Sequence, residues 1–313
     1  MPETSRVRQF LTCLLLGLLA LGAPASADPA GGGDPHVLVL GRISDDPKAH
    51  YEQLKPLLDY VVPRLADVGI REGRILMARD PQQMSSYLRR GLVDWVTETA
   101  ATGMRLEERA GARPLVLTER NGVSRYRTVF FVRRDSGIDS LDDLRGRSVA
   151  FQNTSSTSAY FIPAMQLLEH GMTPQILLSP KDRPGPDEVG YVFARSELNI
   201  ATWVHKRLVD AGAMSDVDWA NPQKIPRSYR ADLRIIHQSP EYPRALEMVR
   251  ADLDPRVQAR LREVLLQAAD DPDAGEALLQ FFQTTRFLPL DPQSEASLRY
   301  VRAGMAQVRA EVE

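Results

Sequence analysis

Cysteine is almost missing from this chain: 313 residues contain one, Cys13, inside the first apolar segment. A single cysteine excludes an internal disulfide, and with it any fold that depends on disulfide staples. No HExxH or CxxC spacing, no phosphate-binding P-loop and no GxGxxG fingerprint is present. The five histidines, His36, His50, His170, His205 and His237, are scattered, so no Ser, Cys or Thr nucleophile can be matched with a base. A formal charge of −2 implies neither nucleic acid nor an anionic membrane as a partner. Aromatic residues are only 7% of the chain, and Trp95, Trp203 and Trp219 are either ligand-stacking platforms or, more commonly for this residue type, packing.

What is present begins with an export signal. Arg6 and Arg8, the apolar run Phe10 to Leu21 and the small residues Ala25-Ser26-Ala27 have the three parts of a secretory leader, with cleavage expected after Ala27. The expected divisions are 1–27 as signal peptide, 28–35 as linker, 36–126 with 237–313 as one lobe and 127–236 as the other. The mature chain then has no cysteine and must be held by its core alone, which its length allows.

Strand-like and helix-like runs alternate after the linker. Strands are expected at His36 to Gly41, Ile75 to Ala78, Leu92 to Val96, Arg113 to Thr118, Tyr126 to Val132, Ser148 to Phe151, Val189 to Phe193 and Leu233 to Ile236. Amphipathic helical runs lie between them, and from Pro255 onward the chain reads as helical, with Phe287-Leu288-Pro289-Leu290 as a connector. The stretch Arg89-Arg90-Gly91-Leu92-Val93-Asp94 is echoed by Lys206-Arg207-Leu208-Val209-Asp210, as two lobes of like construction would produce. The fold class expected is α/β: two lobes, each a mixed sheet flanked by helices, and a helical C-terminal tail.

Between the strand ending at Phe151 and the helix starting near Ala159 stand five consecutive hydroxyl residues, Thr154 to Ser158. A helix N-terminus has unpaired N–H groups and the positive end of the helix dipole, so this junction suits an oxyanion without a fixed positive charge. The plainer alternative is an ordinary N-cap, Ser156 or Thr157. Pro163 requires that it fall in the first turn of its helix or follow a 3-10 turn. Ligands of open α/β sheets sit outside the carboxyl ends of strands, which makes Arg42, Ser44 and Asp45, and likewise Glu98 and Thr99, candidate wall residues.

The block Asp135-Ser136-Gly137-Ile138, Ser140-Leu141-Asp142-Asp143-Leu144-Arg145-Gly146-Arg147 through Phe151, then Ser156-Thr157-Ser158 and Pro163, resembles the PhnD-like phosphate, phosphite and phosphonate receptors of ABC importers. Roughly Val37 to Leu290 is similar to that family, Val209 to Ala213 resembling its second-lobe strand. The resemblance implies a type II periplasmic-binding fold, a location in the periplasm, no catalysis, no cofactor and no metal. Its partners would be a small anion or zwitterion, possessing phosphate or phosphonate character, and an inner-membrane permease, the protein acting as a monomer without nucleic acid. It also implies that Ser156, Thr157 and Ser158 grip the oxyanion and that Asp210 lies near the ligand. Glu197 stands where the family has a histidine, and Thr97 to Thr102 replaces its Gly-Pro and tyrosine. Glu98, Thr99, Glu197 and Asn199 are therefore expected at the ligand's other end, with Tyr160 and Arg42 completing the site. A receptor for a membrane sensor kinase is the alternative use of the same fold.

Overall fold

In the computed structural model residues 34–312 are described, and the expected leader and its cleavage site lie outside them. Among the described residues fourteen strands succeed one another. They are β1 (Val37–Ile43), β2 (Glu72–Ala78), β3 (Trp95–Glu98), β4 (Arg113–Arg120), β5 (Arg125–Tyr126), β6 (Thr128–Arg133) and β7 (Ser148–Phe151), then β8 (Pro174–Ile176), β9 (Val189–Phe193), β10 (Ala211–Ser215), β11 (Leu233–Gln238), β12 (Tyr242–Pro243), β13 (Leu246–Val249) and β14 (Thr284–Leu288). The helices are α1 (Pro47–Val61), α2 (Pro81–Arg89), α3 (Ala100–Ala110), α4 (Ile162–Glu169), α5 (Glu197–His205), α6 (Asp216–Ala220), α7 (Arg227–Arg230), α8 (Pro255–Gln267), α9 (Gly275–Gln280) and α10 (Pro292–Glu311).

The helix starts are written into the chain as Asp-Pro pairs. Asp46, Asp80, Asp254 and Asp291 each cap a helix by accepting a backbone N–H, and the proline that follows sits where no N–H is needed. Helices α1, α2 and α8 pack on one six-stranded sheet and α4 and α5 on a second. The first runs β14-β4-β13-β3-β1-β2 and the second β11-β6-β10-β7-β9-β8, with β5 and β12 forming a two-stranded ribbon on the two chain crossings between them. Both sheets are mixed: β1, β2 and β3 are parallel, β13 is antiparallel to its neighbours, and β6 is antiparallel to β10. This is the two-lobed periplasmic-binding architecture expected, with a helical tail.

The tail does more than cover one sheet. Arg302 and Arg309 of α10 pair with Glu107 and Glu108 of α3, while Tyr300 donates to Glu169 and receives Gln166 of α4. Gly304 allows the close approach: a Cβ there would lie 1.5 Å from Met165 Sδ. Phe287 and Leu288 belong to edge strand β14 rather than to a connector, and β13 and β8 are strands that the sequence pattern did not mark.

The echoed Leu-Val-Asp segments have one structural role. Asp94 accepts the Val39 N–H at 2.8 Å and donates its own N–H to the Val39 carbonyl at 3.0 Å. Asp210 does the same with Ser148, at 2.9 and 3.0 Å. Each aspartate ties the strand it precedes to a parallel neighbour, at the end of the sheet away from the strands' carboxyl ends.

Candidate functional site

Strands β1 to β4 of the first sheet and β7, β9 and β10 of the second end facing one cleft of about 800 Å³. Of its lining residues only Ile43 is aliphatic. Arg42 ends β1, Arg79 follows β2, Glu98 ends β3 and Arg120 ends β4; across the cleft lie Gln152 to Ser158 after β7, Arg195 after β9 and Asp218 after β10. Tyr126 and Arg244 come from the crossing ribbon and its exit. Five arginines thus face three acids, Asp45, Glu98 and Asp218, and the expectation of an anion cradle without fixed positive charge is corrected.

Arg120 is the unusual one. It is 9% exposed, its Nε has no hydrogen-bond partner, and a terminal N–H donates weakly to Thr97 Oγ1 at 3.4 Å. Burial, and next the neighbouring Arg42, lower its pKa to about 10, so it stays cationic at neutral pH. Arg42 and Arg120 both lie over the Phe282 ring, 5.0 and 4.6 Å from its centroid. Phe282 and Gln283 hold left-handed backbone conformations, φ 54° and 56°, a strain that the packing must maintain. Burial and Arg42 also lower the pKa of His50, whose Nδ1 lies 2.6 Å from Ser44 Oγ, so this ring is neutral near pH 7. Burial raises the Tyr126 phenol to about 12 and raises Asp218 as well.

The hydroxyl run has divided duties. Ser156 is the N-cap, accepting from the Ala159 N–H at 3.1 Å, and Thr157 to Phe161 form a single π-type turn before α4, which places Pro163 in the first turn of that helix. Thr157 and Ser158 stand at the first two positions of that turn, where amides have no intrahelical acceptor. The Thr157 hydroxyl reaches to the other sheet's helix: it accepts the Ala101 N–H at 3.1 Å and donates to Thr99 Oγ1 at 3.0 Å, capping the N-terminus of α3.

Of the residues expected at the site, Ser156, Thr157, Ser158, Glu98, Thr99 and Arg42 share the cleft wall, and four do not. Asp210 ties strand ends at the far side of its sheet. Tyr160 is buried among Phe151, Phe161, Tyr191 and Phe193. Asn199 donates to the Ala194 carbonyl at 2.8 Å, closing the start of α5, and Glu197 stands behind Gln152, accepting from its Nε2 at 2.6 Å and from Lys224 Nζ at 2.8 Å. Glu98 is on the wall but already engaged: Arg42 stands 3.5 Å away and the Ile43 and Thr99 amides donate to it. The tryptophans are not in the wall; Trp95 is fully buried and donates to Glu247 at 2.6 Å. Arg79, Arg120, Arg195 and Arg244 were missed. The strand-end rule that selected Arg42 selects Arg79, Arg120 and Arg195 equally well.

Among the described residues, no group of acids and histidines has the geometry of a metal site. Hydroxyls, amides at a helix start and guanidiniums instead fit the binding of an oxyanion by charge-assisted hydrogen bonds.

Residues 41–295 match the family described as ABC transporter, phosphonate, periplasmic substrate-binding protein. The protein XAC2383 from Xanthomonas citri, solved bound to ATP, is 56% identical, with 89% of this chain and 100% of that one covered and a TM-score of 0.84. A chloride-bound structure of XAC2383 matches at the same identity over 88% of this chain and 100% of that one, also with a TM-score of 0.84. PhnD1 from Prochlorococcus marinus, in complex with methylphosphonate, shares the fold at 18% identity, 88% and 99% coverage and a TM-score of 0.61. The chain therefore belongs to the periplasmic substrate-binding proteins of the phosphonate ABC-transporter family.

Proposed function

We propose that this protein is the receptor through which an ABC importer collects a small phosphate-bearing anion, held between the arginines of the cleft and the hydroxyl turn. What supports this reading above all is Arg120, a buried guanidinium at a strand's carboxyl end with an unpaired Nε in a polar cleft. A charge so placed costs stability unless an anion meets it. The ATP-bound and chloride-bound forms of XAC2383 support an anionic guest, and the first supports a phosphate-bearing one. Glu98 and Glu197 are matched by Arg42 and Lys224, so the ligand needs no ammonium group to answer them.

In this reading residues 1–27 direct export and are removed, 36–126 with 237–313 form one lobe and 127–236 the other. The protein works as a monomer that presents the closed form to its permease. Isothermal titration of the purified protein with inorganic phosphate, methylphosphonate and ATP tests the ligand class. Saturable binding of at least one supports it, and silence from all three rejects it.

A further inference from the structure

The phosphate-binding reading can be taken one step deeper, on which it rests: we infer that the cleft recognises a polyphosphate chain, inorganic or carried by a nucleoside, and does not read the base. Breadth of the cationic wall is the first argument. Arg79 and Arg120 leave strands β2 and β4, which are four neighbours apart in the sheet order, about 19 Å at roughly 4.8 Å per strand. Arg195 and Arg244 extend the array to the second sheet and the crossing ribbon. A compact phosphonate reaches one or two of these groups; an extended chain of phosphates reaches more.

Vacant pairing capacity is the second. Arg42 is matched by Glu98 at 3.5 Å and Arg79 by Asp80 at 3.3 Å, whereas among the described residues Arg120, Arg195 and Arg244 have no carboxylate within 4.0 Å. Arg244 gives one N–H to the Arg120 carbonyl at 2.7 Å, which holds the two side by side in the chain fold without neutralising either. Asp45 and Asp218 share the wall, so the anion is confined to its arginine-lined parts.

Size and polarity are the third. Methylphosphonate has only five heavy atoms, whereas a cleft of about 800 Å³ has room for more than twenty waters at roughly 30 Å³ each. The remaining wall holds hydroxyls, the side-chain amides of Gln152 and Asn153, the carboxylates of Asp45 and Asp218, and, at its exposed rim, the guanidiniums of Arg79 and Arg195, on which a base leaving the phosphate chain would lie. A guanidinium stacks on any base, because every base has a π-face, so the wall that receives the base offers little to tell one from another.

Calorimetric titration with tripolyphosphate, ATP, GTP, CTP, methylphosphonate and adenosine, at one pH and salt concentration, tests this. Expected are nucleotides within about threefold of one another, tripolyphosphate within about tenfold of them, methylphosphonate at least about 100-fold weaker and adenosine silent, tenfold being 1.4 kcal/mol. Arg120→Met should weaken tripolyphosphate binding about 10- to 100-fold, the worth of a charged hydrogen bond. Arg195→Gln, at an exposed position that does not endanger folding, should weaken tripolyphosphate more than methylphosphonate. A preference of more than about tenfold for one base, binding of adenosine, or methylphosphonate matching tripolyphosphate overturns the inference, again on the scale of 1.4 kcal/mol per tenfold. In the last case the phosphate-anion reading survives, and only failure of every phosphate compound removes both.

Discussion

Glu247 offers the sharpest test of the physics beneath the cleft. It sits in the middle of β13, fully buried, accepting from Trp95 Nε1 at 2.6 Å, Thr97 Oγ1 at 2.9 Å and Thr118 Oγ1 at 2.6 Å. Burial raises its pKa from 4.5 to about 7, against the opposing pull of those donors and of Arg120. Below the unfolded value both states carry the proton and the group has no effect on stability. Between 4.5 and about 7 the folded state keeps a proton that the unfolded chain has lost, so stability falls as pH rises. Above the folded value the loss is complete, about 3 kcal/mol at 1.36 kcal/mol per tenfold in proton affinity. Glu247→Gln keeps the shape and removes the titration, its amide oxygen accepting from Trp95 and its amide nitrogen donating to the threonine hydroxyls, which can turn to accept. Urea denaturation of both proteins should show the stability of the variant relative to the parent rising by about 3 kcal/mol between about pH 4.5 and 8, other titrating groups cancelling in the difference. A difference that stays constant over that range would refute the claim that burial, rather than the three donors, governs this carboxyl.

Two further outcomes follow from contacts that join the two sheets' helices. Thr157→Val removes the cap on α3 and leaves the buried Ala101 N–H unpaired, so denaturation should show a loss of about 1–3 kcal/mol; Thr157→Ser keeps the hydroxyl and should lose only about 1 kcal/mol for its methyl group. Gly304→Val drives a side chain into Met165 and should cost about 1–3 kcal/mol, lowering Tm by several degrees in a thermal melt, with partial recovery when Met165→Ala is added.

Much of this protein was legible along the chain because its determinants are local. Apolar strand runs, helix-spaced apolar runs and the Leu-Val-Asp echo each lie within a few residues, and the position of ligands at strand carboxyl ends follows from chain order alone. The Ser-Thr-Ser segment at a helix start was legible for the same reason, and so was the family resemblance. Strand β13 was not, because a central glutamate breaks its apolar pattern; only Trp95, Thr97 and Thr118 from neighbouring strands make that residue tolerable in a core.

Which side chains share the cleft was decided by tertiary structure. Asp94 and Asp210 look alike in sequence and do the same work at strand starts, yet the family resemblance placed only Asp210 near the ligand. Glu98 and Glu197 read as acids awaiting a cation, but the fold brings Arg42 and Lys224 to them from 56 and 27 residues away along the chain. The sequence determined two α/β lobes and the strand ends at which a ligand would sit. Only the folded arrangement, by bringing Arg42, Arg79, Arg120, Arg195 and Arg244 into one wall, decided that this crevice is cationic, because charge adds by distance in space and not by position in the chain.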